Sequence, residues 1–251
     1  MTADDRPCLV IKVGTSTLIG ADERPSKTFD AIATSIKAMA GDYKIILVTS
    51  GAIGFGMRSV GLNTRPNDIH DLQALSMMGQ VGLLRRWREA IAPLSVGQVL
   101  VTSRELSEAA SRKTLRSSLQ SLWDYNAVPI VNENDAITTE EISFGDNDKL
   151  AAEIAGLFGA EVLVLLTDQD GIKADFGLAS EYRLNEVSLS DIDQHVKHGP
   201  GSGYSKGGVD SKIYAARLAL DRGVSVYIAH AGAAKSVENA LSGQSGTKII
   251  E

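Results

Sequence analysis

Short apolar runs alternate with segments whose apolar positions recur every three to four residues, nearly from end to end of the chain. The runs CLVIKVG (8–14), KIILVTS (44–50), VGQVLVT (96–102), VPIVN (128–132), EVLVLLTD (161–168), VSVYIA (224–229) and TKII (247–250) predict strands. Between them the spacing predicts helices. One starts near Ser26, a plausible N-cap, with Phe29, Ile32, Ala33 and Ile36 on one face. GAIGFGMRSVG is a Gly-rich helix start, and a long helix over about 70–92 has Leu72, Leu75, Met78, Val81 and Leu84 as its inner stripe. Further helices are expected over about 104–126, 147–158 and 209–222, and near 235–242. Strands that are apolar on both faces and separated by helices predict an α/β fold, an αβα sandwich around an open, mainly parallel central sheet. No proline- or serine-rich linker divides residues 1–251, so one compact domain is expected. Two stretches depart from the alternation. TTEEISFGDND (138–148) reads as a hairpin or flap, and VKHGPGSGYSKGG (196–208) as a Gly-rich loop.

Composition narrows the classes. An apolar fraction of 43% and a charged fraction of 22% fit an ordinary soluble globular protein. The net charge of −6 argues against a nucleic-acid partner, because phosphate backbones select basic surfaces. The single cysteine, Cys8, cannot form an internal disulfide and opens an apolar run, which points to core packing in a reducing, cytoplasmic setting. No segment carries the roughly 20 apolar residues that span a bilayer, and the acidic N-terminus lacks the apolar core of a signal peptide.

In an open α/β sheet, ligands bind beyond the carboxyl ends of the strands. Four predicted strands end in chemistry-bearing residues: Lys12, Gly14, Thr15 and Ser16; Thr49, Ser50 and Gly51; Asn132 to Asp135; and Thr167 with Asp168. Each set alone is what a turn uses. Four sets on one edge point to a ligand site. The glycines of VGTST and TSGAIGFG leave backbone N–H groups open to an anion at a helix start. Neither a Walker A motif nor a Rossmann G-x-G-x-x-G occurs. Lys12 sits inside an apolar run, where an ammonium must either snorkel to water or meet a partner or ligand. Lys212 falls in the first turns of a helix that follows the Gly-rich loop.

VIKVGTSTL, VTSGAIGFG, PIVNENDAI, GDNDKLAAEIA, LLTDQDGI and KGGVDSK occur in that order, and together they resemble the glutamate 5-kinases of the amino acid kinase family over essentially the whole chain. That resemblance implies transfer of the γ-phosphoryl of ATP to the side-chain carboxylate of L-glutamate, the first step of proline synthesis. It implies that Lys12 and Lys212 contact the transferring phosphoryl, that Asp148 holds both lysines, and that Gly14 and Gly51 offer backbone N–H groups. Ser50, Asp135 and Asn147 would bind glutamate. Thr167, Asp168, Lys206, Gly207, Gly208, Ser211 and Lys212 would bind ATP, with magnesium (Mg2+) carried on the ATP phosphates. A lobe of about 1–160 would hold glutamate and one of about 161–251 would hold ATP. A homo-oligomer (dimer or tetramer) and feedback inhibition by proline are further family expectations. Rival readings are a kinase of the same fold for acetylglutamate or carbamate, and a non-catalytic amino-acid sensor. The sequence departs from the family in three places. The nucleotide loop reads KGGVDSK where TGGMxTK is usual, DFGLASEYRL (175–184) replaces the usual ADPR pattern, and the C-terminal PUA domain that many relatives carry is not expected here. The four histidines stand outside the motifs and are expected at the surface or in packing.

Overall fold

A computed structural model describes residues 5–19, 25–138, 147–175, 179–195 and 208–251. Strands β1 (Cys8–Val13), β2 (Lys44–Thr49), β3 (Ser95–Val101), β4 (Ala127–Glu133) and β5 (Val162–Thr167) alternate with helices α1 (Thr15–Ile19), α2 (Pro25–Met39), α3 (Ala52–Ser59), α4 (Ile69–Ile91), α5 (Ser103–Ser107), α6 (Ala109–Asp124) and α7 (Asp148–Phe158). Beyond β5 come β6 (Lys173–Ala174), β7 (Tyr182–Arg183), β8 (Glu186–Ser188), α8 (Val209–Leu220), β9 (Ser225–His230), α9 (Ser236–Leu241) and β10 (Thr247–Ile250). Eight strands form one sheet in the order β3-β4-β2-β1-β5-β9-β10-β8. Its pairings are parallel except β9 with β10, and β6 and β7 form a separate antiparallel ribbon. The expected αβα sandwich is therefore present, with one reversal near the β10 end that the short run TKII could not announce.

β1 lies at the centre because all six of its residues are buried and it pairs on both edges, with β2 and with β5. Alternation along β1 sends Cys8 and Val10 toward the core shared with α6, α7 and α8, and Leu9, Ile11 and Val13 toward the core shared with α2, α4 and α9. Each fully buried Leu or Ile contributes about 2 kcal/mol relative to exposure. The same alternation puts Lys12 on the α7 face. Burial pushes the Cys8 thiol up to about 12, with Lys44 opposing weakly.

Several local expectations change. The inner stripe of α4 is Leu72, Leu75, Ser76, Gly79, Gln80, Leu83, Trp87, Ala90 and Ile91. Val81 is 74% exposed, Met78 is also exposed, and Leu84 is only partly buried. A strict spacing of three falls back about 60° around the helix at each step, so the predicted stripe rotates out of the core. The helix expected over 104–126 is broken at Glu108, and its first piece, α5, opens with a Thr102–Glu105 capping box. Ser26 lies inside the first turn of α2, which begins at Pro25. Residues 139–146 of the expected flap and residues 196–207 of the Gly-rich loop lie outside the described residues. Among the described residues no helix is long and apolar enough to cross a membrane.

α3 and α4 cross with almost no space between backbones. A Cβ on Gly56 would meet the Leu75 carbonyl oxygen at 1.9 Å, and one on Gly79 would meet that of Ala52 at 1.8 Å. Glycine is required at both positions, and the close crossing fixes α4 over the end of β2. There Trp87 Nε1 donates to Thr49 Oγ1 at 3.0 Å, tying the core to the strand end.

Candidate active site

β4, β2, β1 and β5 are neighbours in the sheet and run the same way, so their carboxyl ends form one edge. Val13 and Thr49 are in register there, and the Ser50 N–H donates to the Val13 carbonyl at 3.1 Å. Gly51 turns the chain from β2 into α3 with φ of +109°, a left-handed conformation that strains any side-chain-bearing residue. α7 and α8 also begin at this edge, at Asp148 and Val209. Their N-terminal N–H groups and dipoles favour negative charge.

The centre of the site is one carboxylate between two ammonium groups. Asp148, the first residue of α7, is 0% exposed. Its Oδ1 lies 2.5 Å from Lys12 Nζ, and Lys12 is 1% exposed. Its Oδ2 lies 3.1 Å from Lys212 Nζ, 12% exposed, and accepts from Ser211 Oγ at 2.9 Å. The Gly208 carbonyl oxygen also lies 2.9 Å from Ser211 Oγ, so the one hydroxyl proton of Ser211 is shared between Asp148 and the N-cap residue of α8. A Cβ on Gly14 would lie 3.4 Å from Lys12 Nζ, so the absent side chain leaves room beside that ammonium.

A cluster of polar side chains from the ends of β2 and β4 adjoins this centre. Asn147 occupies the N-cap position of α7, but its side chain does not cap the helix. It donates instead to the Thr49 carbonyl and to Asn132 Oδ1, both at 2.7 Å. Ser50 is buried, and its Oγ has no partner among the described residues. Asp135 lies in the turn after β4 and lines a groove of about 660 Å³ with Gln80, Met77, Leu100 and Arg88. On the other side of β1, Thr167 Oγ1 donates to Asp168 Oδ1 at 3.0 Å at the end of β5. The structure thus gathers Lys12, Gly14, Asp148, Ser211 and Lys212 in one cluster, with Asn147, Ser50 and Gly51 beside it. It sets Asp135 in the adjoining groove and Thr167 and Asp168 on the β5 flank. Lys206 and Gly207 lie outside the described residues. Sequence reasoning missed Gln80, and it placed Thr49 and Asn132 at the strand ends without giving either a role. Asn132 was visible as a polar residue closing an apolar strand, whereas Gln80 was hidden by the misplaced α4 stripe. Of the described histidines, His70 is exposed at the start of α4, and His230 Nδ1 accepts from the Gly232 N–H.

A parallel sheet whose carboxyl edge carries a buried carboxylate between two lysines, beside two helix N-termini, defines an α/β protein whose edge is chemically suited to an anionic group. The Amino acid kinase family model matches residues 7–230, and the chain belongs to that family. It is 40% identical over 238 residues to a glutamate 5-kinase of Mycobacterium avium, covering 91% of this chain and 64% of that protein. It is 38% identical over 250 residues to the glutamate 5-kinase of Mycolicibacterium smegmatis, covering 94% of this chain and 66% of that protein. The chain thus spans just under two thirds of these relatives' lengths. A carbamate kinase from Giardia lamblia bound to AMP-PNP superposes with a TM-score of 0.65 at 17% identity, covering 98% of this chain and 99% of that one, which shows a common fold.

Proposed function

We propose that the protein transfers the γ-phosphoryl of ATP to the side-chain carboxylate of L-glutamate, forming glutamyl 5-phosphate, the first step of proline biosynthesis. The observation that carries this reading is Asp148 holding Lys12 and Lys212 from its two oxygens. Phosphoryl transfer asks for positioning and for charge stabilisation on the equatorial oxygens. The two ammonium groups supply that charge, and one carboxylate between them leaves a net positive charge for the phosphoryl. Backbone N–H groups at Gly14 and Gly51 add donors. The acceptor carboxylate is ionised at neutral pH, so no general base is required. Its oxygen bonds to the γ-phosphorus as the bond to the bridging β,γ-oxygen breaks, and ADP departs with that oxygen.

Thr167, Asp168, Gly208 and Ser211 bracket the nucleotide, and Lys206 and Gly207 are assigned with them from sequence. Magnesium would add charge neutralisation on the ATP phosphates. The room beside Lys12 at Gly14 suits phosphate oxygens carrying such an ion. The phosphates are assigned as its holders on the family resemblance. Ser50, Asn147 and Asp135 hold glutamate. The lobe of about 1–160 is the acceptor lobe and that of about 161–251 the nucleotide lobe, so Lys12 and Lys212 reach one phosphoryl from opposite lobes.

The test is ADP release with ATP, magnesium and, separately, glutamate, N-acetylglutamate and carbamate, with hydroxylamine trapping the acyl phosphate as a hydroxamate. Turnover with glutamate and trapped hydroxamate are expected. Equal or better turnover with N-acetylglutamate or carbamate would reassign the substrate, and glutamate binding by calorimetry without ADP release would make the protein a sensor. Proline in a parallel tube tests competitive feedback at the glutamate pocket, and sedimentation tests the expected homo-oligomer.

A further inference from the structure

Three side-chain amides stand in line behind the acceptor edge, and backbone groups at two points leave one way to orient them. Asn147 Nδ2 lies 2.7 Å from the Thr49 carbonyl oxygen. A carbonyl only accepts, so the amide nitrogen must face it. Asn132 Oδ1 receives the Glu133 N–H at 3.0 Å and Asn147 Nδ2 at 2.7 Å. A backbone N–H only donates, so the amide oxygen must face it. Asn132 Nδ2 is then the donor to Gln80 Oε1 at 2.9 Å. Turning over either asparagine would set two acceptors or two donors face to face, so the backbone itself decides the amide assignment.

The polarity of this relay has a chemical result. Both N–H groups of Asn147 are engaged, and its side chain does not cap α7. What Asn147 has left for a ligand is Oδ1, an acceptor. A primary ammonium offers that oxygen a proton, and a carboxylate does not. The relay ends at Gln80, which is 9% exposed on the inner face of α4. Its Nε2 has no partner among the described residues, and the side chain lines the groove shared with Asp135.

We infer that Gln80 is a positioning residue for acceptor specificity. Through Asn132 it holds Asn147 with Oδ1 toward the substrate, so the pocket selects acids that carry a free ammonium. This rests on the reading of Asn147 as a glutamate-binding residue. Without the Gln80 oxygen, Asn132 Nδ2 is stranded in a side chain only 2% exposed. Rotation of Asn132 relieves that loss only by breaking its bonds with Glu133 and Asn147 together.

The experiment compares Gln80→Met, of similar length but without an acceptor oxygen, with Gln80→Glu, which keeps an oxygen facing Asn132. Gln80→Met is expected to raise the KM for glutamate about tenfold, the scale of one lost charge-assisted bond, with the KM for ATP unchanged within about twofold. It is also expected to narrow the preference for glutamate over glutarate, which lacks the ammonium, by about the same factor. Gln80→Glu recovers most of the loss. A Met variant with an unchanged glutamate KM, or a Glu variant as impaired as Met, overturns the proposal. Side-chain amide NMR supplies a readout that needs no turnover: the Asn147 Nδ2 protons exchange slowly in the wild type and in Gln80→Glu, and fast in Gln80→Met. Slow exchange in all three overturns the relay. Absence of wild-type ADP release with glutamate would instead sink the functional reading alone. Gln80→Leu replaces Gln80→Met if the latter does not fold.

Discussion

Replacing Asp148 by asparagine removes one charge and little volume. In the wild type the carboxylate is fully buried and meets Lys12 at 2.5 Å and Lys212 at 3.1 Å. Asparagine keeps one oxygen, which can still accept from one of its three donors. The ammonium of Lys12, itself 1% exposed, loses its counter-charge without gaining water. Breaking a buried pair from one side costs about 3–5 kcal/mol. The retained oxygen argues for the lower end, about 3 kcal/mol, which for a chain of this size is a fall in Tm of about 6–12 °C. Catalysis should suffer separately. Two lysines no longer drawn to one point lose transition-state stabilisation comparable to a missing oxyanion donor, so kcat should drop about 10²–10³-fold. Nucleotide affinity should move the other way, because the phosphates no longer compete with the carboxylate at position 148 for the two ammonium groups. ATP should therefore raise the Tm of Asp148→Asn more than that of the wild type, by ligand linkage. Differential scanning fluorimetry with and without ATP, beside initial rates of ADP release, measures all three. A variant that melts within about 2 °C of the wild type and keeps kcat within about tenfold would refute the clamp.

Three other perturbations probe separate links in the argument. Lys12→Arg puts a planar fork where a compact ammonium fills a closed site, so kcat should fall at least about 10²-fold; near-normal turnover would contradict the point-charge role. Gly79→Ala forces a Cβ to within 1.8 Å of the Ala52 carbonyl and 2.3 Å of the Gly56 nitrogen, so α3 and α4 must separate. A loss of about 2–3 kcal/mol in urea unfolding is expected, and an unchanged midpoint would show that the crossing is looser than described. The Cys8 thiol, raised by burial from 9.0 to about 12, should react with a disulfide reagent at pH 8 only at the rate of unfolding. Because its folded value exceeds its unfolded one, its contribution to stability is complete below pH 9 and is lost between pH 9 and about 12. Cys8→Ala should flatten that alkaline limb, and an unaltered limb would assign the loss to other groups.

Much of the architecture could be read from periodicity, because β1, β2 and β5 are buried on both faces and write their apolar runs without interruption. The carboxyl edge was legible for the same reason, since polar residues stand where each run stops. The inner face of α4 was not legible. Its close crossing with α3 demands Gly79, and the relay demands Gln80, so packing and hydrogen bonding put two residues of low apolarity where hydrophobicity looks for leucine. Trp87 was the usable sign of the true face. The meeting of Lys12, Asp148 and Lys212 depends on β1, α7 and α8 coming together across the sheet, which spacing cannot state and only the family resemblance suggested. The sequence does not say whether an Asn at the start of α7 caps that helix; its bonds to Thr49 and Asn132 show that it does not.

The earliest of the described strands lies in the middle of the sheet. β1 and β2 are close in sequence, whereas the partner of the other β1 edge, β5, is synthesised more than a hundred residues later. During that interval a strand apolar on both sides offers a free backbone edge to any neighbour. Refolding from denaturant should accordingly be slow, as distant pairing is, and its yield should fall steeply with protein concentration. A nascent chain held by a chaperone until residue 167 has emerged would be spared that hazard.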